Sequence, residues 1–285
     1  MSVSTIARQR FPAFVRKLDT AKSGWMQLGE QTRFFGTTLS SLVDVFIYYR
    51  AELLRQIAAM SLGTGSLAIV GGSVAVIAFL TMSTGGTIAS EGYNQFSNIG
   101  VEAMTGFGTA FANTRLVTPF TAAIAFAATI GAGATAQLGA MRINEEIDAL
   151  EVMGVRSIAY LASTRVAAGV IVAVPLYCVA LILGYAAGQV VTTVFYGQSS
   201  GVFKHYFSTF FIPADVVKSF LVTIAEVITI MLIHTYYGFN ASGGPAGVGE
   251  AVGRATRASL TMAGLVIMFV TLALYGRTGH LNLAG

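Results

Sequence analysis

The sequence predicts an all-α polytopic membrane protein. Of its 285 residues, 54% are hydrophobic and only 11% are Asp, Glu, Lys or Arg, and the mean hydropathy is +0.70. A soluble domain carries about 25% charged residues, so this chain has too few to cover a solvated surface. Several uncharged stretches reach the length of about 20 residues that a helix needs to cross a bilayer. The predicted architecture is an amphipathic N-terminal helix at the membrane interface, followed by five transmembrane helices.

Residues 1–32 are predicted to form a basic cytoplasmic extension, and residues 33–58 the interfacial helix. Basic residues open the chain, but no apolar h-region follows them, so a cleaved signal peptide is not expected. In residues 33–58, apolar side chains recur at intervals of three and four, while charges interrupt the pattern too often for a spanning helix. The alternative is a helix packed on a soluble core. The apolar positions are Phe35, Leu39, Leu42, Phe46, Tyr49, Leu53 and Ile57.

Five apolar stretches follow as predicted spans. They cover about residues 62–82, 117–141, 166–191, 216–237 and 260–275. The Gly-rich stretch 83–116 is expected to lie on the outer leaflet or to dip into it, and residues 240–257 to form a Gly-rich loop. Small residues let membrane helices approach closely, so Gly184-Tyr-Ala-Ala-Gly188 is interpreted as a packing motif.

The distribution of basic residues predicts the orientation in the cytoplasmic (inner) membrane. With the N-terminus inside, 13 of the 17 Lys and Arg residues fall in cytoplasmic segments. The remaining residues, Arg115, Lys204, Lys218 and Arg277, fall outside. Because cytoplasmic loops are enriched in Lys and Arg, the N-terminus is expected in the cytoplasm and the C-terminus on the periplasmic side.

The chain contains no recognisable catalytic motif. It has no GxxxxGK[ST], HExxH or GxSxG run, and its three histidines are far apart without a partner at ligand spacing. The single cysteine, Cys178, excludes an intramolecular disulfide and a cysteine metal cluster. The net charge of +4 is explained by orientation rather than by nucleic-acid binding. We therefore expect no catalytic residue, no metal site and no nucleic-acid partner.

An acidic amphipathic segment lies between the second and third spans. On a helix, Ile143, Ile147 and Leu150 share one face, Glu145 and Asp148 lie opposite, and Glu151 flanks them. Asn144 is the expected N-terminal cap. Acidic side chains disfavour binding to an anionic lipid surface. The pattern alone leaves two interpretations open: a helix whose exposed apolar ridge enters a groove on a cytoplasmic partner, or a solvated loop helix without a partner.

This segment, Glu145-Glu-Ile-Asp-Ala-Leu-Glu-Val-Met-Gly154, resembles the E-x-x-D-A-L-x-x-M-G signature of MlaE/YrbE-type permeases. These are the membrane subunits of ABC lipid transporters that work with MCE proteins. Two further stretches agree in the same order, Gln137-Leu-Gly-Ala-Met141 and residues 237–249 with Arg254-Ala-Thr-Arg257. The resemblance covers about residues 33–275 and places a permease domain over residues 59–285.

The resemblance implies that residues 143–154 are a short cytoplasmic coupling helix that docks on a separate ABC ATPase. The residues at that surface would be Glu145, Glu146, Asp148, Leu150, Glu151 and Met153. ATP and Mg would be bound by the ATPase, so no cofactor is expected in this chain. The other implied partners are a second YrbE-like permease, MCE proteins on the periplasmic side and a lipid. The long basic N-terminal extension suggests the actinobacterial branch, whose substrates include fatty acids and sterols.

Three positions depart from the family pattern. Leu116, Thr129 and Gln137 stand where the family often has charged residues. The hypothesis that follows is a heterodimer whose partner permease keeps those charges.

Glu226 lies in the middle of the fourth span, where an ionised carboxylate is costly, so it should face protein or a water-lined cavity. It is either a cavity residue that meets a lipid headgroup or gating partner, or a hydrogen-bonding residue between helices. Lys218 lies two turns earlier on roughly the same face. Two other functions remain open: an ion-coupled secondary transporter with Glu226 as coupling carboxylate, and a non-transporting scaffold for a periplasmic assembly.

Overall fold

The computed structural model describes residues 12–62 and 72–276, where all regular structure is helical. Five helices have the length and composition to span a membrane: α4 (Gly72–Ser97), α5 (Glu102–Ile143), α7 (Ile158–Phe195), α9 (Pro213–Phe239) and α10 (Gly244–Tyr275). The remaining helices are α1 (Pro12–Ser40), α2 (Leu42–Tyr48), α3 (Arg50–Leu62), α6 (Glu146–Val152) and α8 (Ser200–Phe210). The predicted class, an all-α polytopic membrane protein, is confirmed.

The N-terminal region is a chain of three helices rather than one helix over residues 33–58. Helix α1 begins at Pro12 and so extends into the predicted extension, whose first 11 residues lie outside the described ranges. The inward face contains Phe34, Val45 and Leu53, whereas Leu39 and Phe46 from the predicted apolar face are exposed. Both faces of this region carry apolar side chains, so apolar periodicity alone does not identify the face that packs on the bundle.

Two Gly-rich segments that lie outside the predicted spans are mostly helical. Helix α4 continues to Ser97, and α5 begins at Glu102, so residues 83–116 largely extend these two helices beyond the predicted spans of about 62–82 and 117–141. Their placement at the outer leaflet stays a prediction. A Cβ at Gly85 would lie 2.7 Å from the carbonyl oxygen of Gly184 on α7. Gly85 therefore permits close helix packing, as small residues do in membranes, and the predicted role of the Gly184–Gly188 motif is confirmed.

The other Gly-rich segment, residues 240–257, also departs from the expected loop. Helix α10 begins at Gly244, so the connection from α9 is only a few residues long. The backbone φ angles of Gly243 and Gly244 are +90° and +70°, in the left-handed region that favours glycine. These two residues make the tight turn, and the following small residues continue as helix. The predicted first span falls partly on residues 63–71, which lie outside the described ranges.

The five long helices alternate in direction, so the bundle has two distinct ends. One end, here called the α6 end, contains residues 143–158 and the turn from α9 to α10. The opposite end contains α8, which packs near the start of α5 through the rings of Phe107 and Phe210, 4.7 Å apart.

Candidate functional site

The acidic signature forms helix α6, which has a defined start and a defined end. Glu145 precedes it with φ +60°, the one positive φ of a non-glycine residue in the described ranges. At the other end Gly154 has φ +78°. Its N–H donates to the carbonyl of Glu151 at 2.9 Å, and the Val155 N–H donates to Leu150 at 3.0 Å. These two bonds are a Schellman motif, which explains why glycine follows methionine in the signature.

The apolar side of α6 packs on its own bundle. Ile147 is fully buried against Leu138 and Leu161, and Leu150 packs on the same cluster. Of the two interpretations that the pattern left open, the exposed apolar ridge is therefore contradicted at Ile147. The expected Asn144 cap is also wrong, because Glu145 occupies the cap position and no side-chain cap hydrogen bond forms there. Inward packing means that this ridge fixes α6 to the protein instead of offering it to a partner.

The opposite side of α6 forms an exposed surface, here called the docking face. It consists of Glu145, Glu146, Ala149, Val152 and Met153. Val152 and Met153 are 89% and 68% exposed. Val152 was missed by sequence reasoning, although the inward positions 147 and 150 imply that position 152 points outward.

The other two predicted acids are exposed but engaged within the chain. Asp148 accepts a hydrogen bond from Nη1 of Arg142 at 2.5 Å, and Glu151 accepts one from the hydroxyl of Ser157 at 2.6 Å. Both bonds hold α6 against its flanking segments. The carboxylates of Glu145 and Glu146 have no such partner in the described structure, so they are the acids available to a second molecule.

The segment after α6 is joined to the N-terminal helices by an ion pair. Nη1 of Arg156 lies 2.9 Å from Oδ2 of Asp44 on α2. The hydrogen bond and charge of Asp44 raise the pKa of the Arg156 guanidinium above its ordinary value. Arg156 is 61% exposed, so the energy of this pair is reduced by solvent screening. The ion pair serves mainly to connect the segment after α6 with α2, so that a movement of α6 would be transmitted to α2.

A second connection to the N-terminal helices was also missed by sequence reasoning. Glu52 on α3 is buried, pairs with Nε of Arg55 at 2.9 Å and accepts from Nε2 of Gln56 at 2.6 Å. The hydroxyl of Tyr160 on α7 donates to it at 3.4 Å. Glu52 appears in sequence as one of several charges on an interfacial helix, and nothing in the pattern shows that it points inward.

A groove of about 440 Å³ opens beside the middle of α5. Its wall is built from small residues of α5, including Ala132 and Gly133, together with Met60 of α3 and Val252 of α10. Thr129 and Gln137, two of the positions that depart from the family pattern, both line it. None of the lining side chains carries a formal charge, so the groove is suited to an uncharged, apolar occupant.

The opposite end carries a separate charged cluster. Asp215 at the start of α9 accepts a hydrogen bond from Nε of Arg115 on α5 at 2.8 Å, and Lys218 lies 3.4 Å from the same carboxylate. The Arg115 guanidinium also lies over the ring of Phe111, 4.2 Å from its centroid. Lys218 is thus held by Asp215. Glu226 is fully buried and lines neither this cluster nor the groove beside α5. Among the described residues, no three His, Cys, Asp or Glu side chains could hold a metal ion.

Comparison with known proteins is consistent with this architecture. A family model described as Permease MlaE matches residues 63–273. A probable ABC transporter permease protein of Rickettsia bellii (strain RML369-C) is 26% identical over 196 residues, which are 69% of this chain and 74% of that protein. One from Rickettsia felis (strain ATCC VR-1525 / URRWXCal2) is 25% identical over 242 residues, or 85% and 92%. The Arabidopsis thaliana protein TRIGALACTOSYLDIACYLGLYCEROL 1, chloroplastic, is 28% identical over 166 residues, or 58% and 47%.

Proposed function

The chain belongs to the MlaE permease family, and from this premise we propose that it moves lipids across the cell envelope with energy from a separate ATPase. Members of this family are ABC transporter permeases, which are transport components rather than enzymes. The multi-pass helical bundle agrees with that role. The family relation implies an ATPase partner, and our proposal extends to the lipid cargo, the surface that couples the two chains and the remaining partners.

The docking face is the observation that carries the coupling proposal. A short helix fixed to the bundle by Ile147 can transmit force, while an exposed surface of two free acids and two apolar side chains can be gripped by another protein. Apolar anchors with a charged rim are the usual composition of a binding patch. In this proposal Glu145 and Glu146 meet basic groups of the ATPase, and Val152 and Met153 enter an apolar pocket. Asp148, Leu150 and Glu151 hold α6 in position.

Movement of α6 then has two routes into the permease. One runs through Ile147 into α5 and α7, and the other runs through Arg156 to α2. When the ATPase pair closes on ATP, these contacts would switch between two packing arrangements. Densely packed interfaces change in this way because they are bistable rather than continuously deformable. The lipid-facing cavity would change shape in response.

The lipid proposal is supported by the groove beside α5. Its volume of about 440 Å³ lies in the range of small-molecule sites, and its wall is uncharged. One relative is named after a galactolipid, trigalactosyldiacylglycerol. We propose a lipid whose buried part is apolar, such as a fatty acid or a sterol.

We further propose the remaining partners and the orientation. A second, non-identical permease would complete the cavity, MCE proteins would receive or deliver the lipid on the periplasmic side, and the α6 end would face the cytoplasm. Weighing the intact purified complex tests the heterodimer, because two permease masses are expected and one permease mass alone would contradict it.

The coupling proposal is tested by purifying tagged complexes in mild detergent and identifying bound proteins and lipids by mass spectrometry. The variant is Glu146→Lys with Val152→Asp, which reverses charge and removes an apolar anchor on the docking face. The matched control is Glu91→Lys, an exposed acid on α4. An ATPase bound by the wild type and the control, and lost from the variant, supports the proposal. An ATPase retained by the variant, or missing from an otherwise intact wild-type complex, contradicts it.

A further inference from the structure

Three buried polar side chains meet in the centre of the bundle between α7 and α9. Tyr177, Thr223 and Glu226 are each at most 1% exposed. Within the described residues, both carboxyl oxygens of Glu226 make no hydrogen bond, and the hydroxyls of Tyr177 and Thr223 lie near each other without reaching full hydrogen-bond geometry. Leaving a buried polar group without a partner is costly, so buried polar groups in native proteins are nearly always satisfied. The Glu226 carboxyl group, whose two oxygens have no partner among the described residues, therefore requires a proton or water.

The three side chains form one cluster. Thr223 and Glu226 are three residues apart on α9 and are therefore neighbours on one helix face. The ring of Tyr177 packs perpendicular to that of Phe220, 4.8 Å between centroids, and its hydroxyl lies near the hydroxyls of Ser219 and Thr223. Glu226 is the middle residue of α9, which has 27 residues. The cluster is therefore about 20 Å from either end of that helix.

No cation is placed to neutralise an ionised Glu226. Lys218 is two turns away, about 12 Å along the axis, and is held by Asp215. On α7, Arg165 donates to the carbonyl of Leu161 at 2.9 Å. Arg165 lies four residues from Gly169 in the direction of the α6 end. Gly169 faces Met231 on α9, and Met231 is itself nearer that end than Glu226.

The other helices packed on α9 supply no counter-ion at this depth either. The sequence of α5 has no charged residue between Arg115 and Arg142, and that of α10 has none after Arg257. Helix α1 meets α9 at Tyr236 near the α6 end. Besides Asp, Glu, Lys and Arg, the titratable side chains of α7, α9 and α10 are Tyr160, Tyr177, Cys178, Tyr185, His234, Tyr236, Tyr237 and Tyr275. His234 is hydrogen-bonded to Thr135 and Ser259. Because an unpaired buried charge is strongly disfavoured, these surroundings favour the neutral form of Glu226.

We propose that Tyr177, Thr223 and Glu226 form a proton-binding site at the centre of the permease. Glu226 carries the proton, and water bridges its carboxyl group to the two hydroxyls. When the core opens and hydrates Glu226, the carboxyl group releases this proton to water. A hard cation such as Ca²⁺ would require six or more oxygen ligands, and the cluster supplies one carboxyl group and two hydroxyls.

The polar face of α9 gives the site a direction. Ser219 and Asp215 continue it in steps of four towards the opposite end, and both are buried. Towards the α6 end the next position is Ile230, which is fully buried and apolar. Chains of acidic and hydroxyl groups inside a membrane mark proton pathways. The proton is therefore exchanged with the end that carries Asp215 and Arg115. The link to core opening rests on the proposed transport function, whereas the bound proton does not.

Infrared spectroscopy of the full chain, purified with its co-purifying subunits at about pH 7, tests the bound proton. The wild type should show the carbonyl band of a protonated carboxylic acid. Glu226→Gln should lose it, and Glu250→Gln, an exposed acid paired with Arg254, should keep it. Thr223→Val should shift the band by removing one hydroxyl from the cluster. A wild type without the band, or a Glu226→Gln variant that keeps it, overturns the proposal.

Two further measurements keep the proposal testable if Glu226→Gln does not fold. Labelling the wild-type chain with ¹³C-glutamate should move the band to lower frequency, and an unmoved band would assign the proton to another residue type and refute the site. Thr223→Val should also change the pH dependence of lipid transport. The infrared band of the wild type should be present whether or not the protein is transporting lipid. A wild-type protein that shows the band but does not transport lipid would thus count against the proposed transport function and leave the proton site intact.

Discussion

Replacing Ile147 by alanine should release α6 from the bundle without unfolding the rest of the protein. Ile147 is fully buried against Leu138 and Leu161, and truncating such a side chain to alanine costs about 2–5 kcal/mol. Helix α6 has seven residues, too few to be stable alone, so the loss falls mainly on local opening. A loss of 2–3 kcal/mol corresponds to about 30- to 140-fold in the opening equilibrium.

Hydrogen–deuterium exchange with mass spectrometry measures this opening directly. Amides of α6 should exchange about 30-fold faster or more in Ile147→Ala, while those of α7 keep their wild-type protection. The control is Val152→Ala, since Val152 is 89% exposed and its truncation leaves the packing of α6 unchanged. We expect this control to exchange like the wild type but to bind the ATPase less tightly. Unchanged exchange of α6 in Ile147→Ala would refute the packing role assigned to Ile147.

Three other predictions concern packing, the helix end and the ion pair. Gly85→Val should lower the melting temperature markedly, because a Cβ at this position would lie 2.7 Å from the backbone of the facing helix. The control Gly133→Ala should keep the wild-type melting temperature, because a Cβ there meets nothing within 4 Å. Equal melting temperatures for the two variants would contradict this packing role. Gly154→Ala should destabilise the end of α6 by about 1–2 kcal/mol, because alanine disfavours the positive φ of this position. The amides at the end of α6 should then exchange faster, and unchanged exchange would count against the Schellman motif. Raising the pH to mildly alkaline values should leave the contact between Asp44 and Arg156 intact. The pKa of the Arg156 guanidinium is raised, so the cation persists until the pH rises through that pKa. Hydrogen exchange that accelerates specifically in α2 at mildly alkaline pH would argue against this ion pair.

The features that depend on length and mean composition were predictable from the sequence. Five helices long and apolar enough to span a membrane follow from the energetic cost of placing charges in hydrocarbon, which any sequence must obey. The ends of the helices were less predictable. Glycines at positions such as Gly85 signal a loop in a soluble protein and close packing in a membrane, and only the facing helix decides between them.

The acidic segment illustrates the same limit at the candidate site. Its helical periodicity correctly separates Ile147 from Glu145. Periodicity cannot say whether an apolar face is buried against the chain itself or offered to a partner, because both satisfy the same pattern. The inward face of Glu52 was hidden for a related reason: its burial depends on Tyr160, which is more than 100 residues away in sequence.

The most direct test of coupling through the docking face is site-specific photo-crosslinking in intact membranes. A photoreactive residue would replace Met153, which is 68% exposed on the docking face, and in a separate protein Phe195, which is 78% exposed at the opposite end. We expect the probe at position 153 to crosslink to a chain that carries an ATP-binding phosphate loop, and the probe at position 195 to give no such product. An ATPase crosslinked from position 195 instead, or from neither position while ATP-driven lipid transport continues, would contradict coupling through α6.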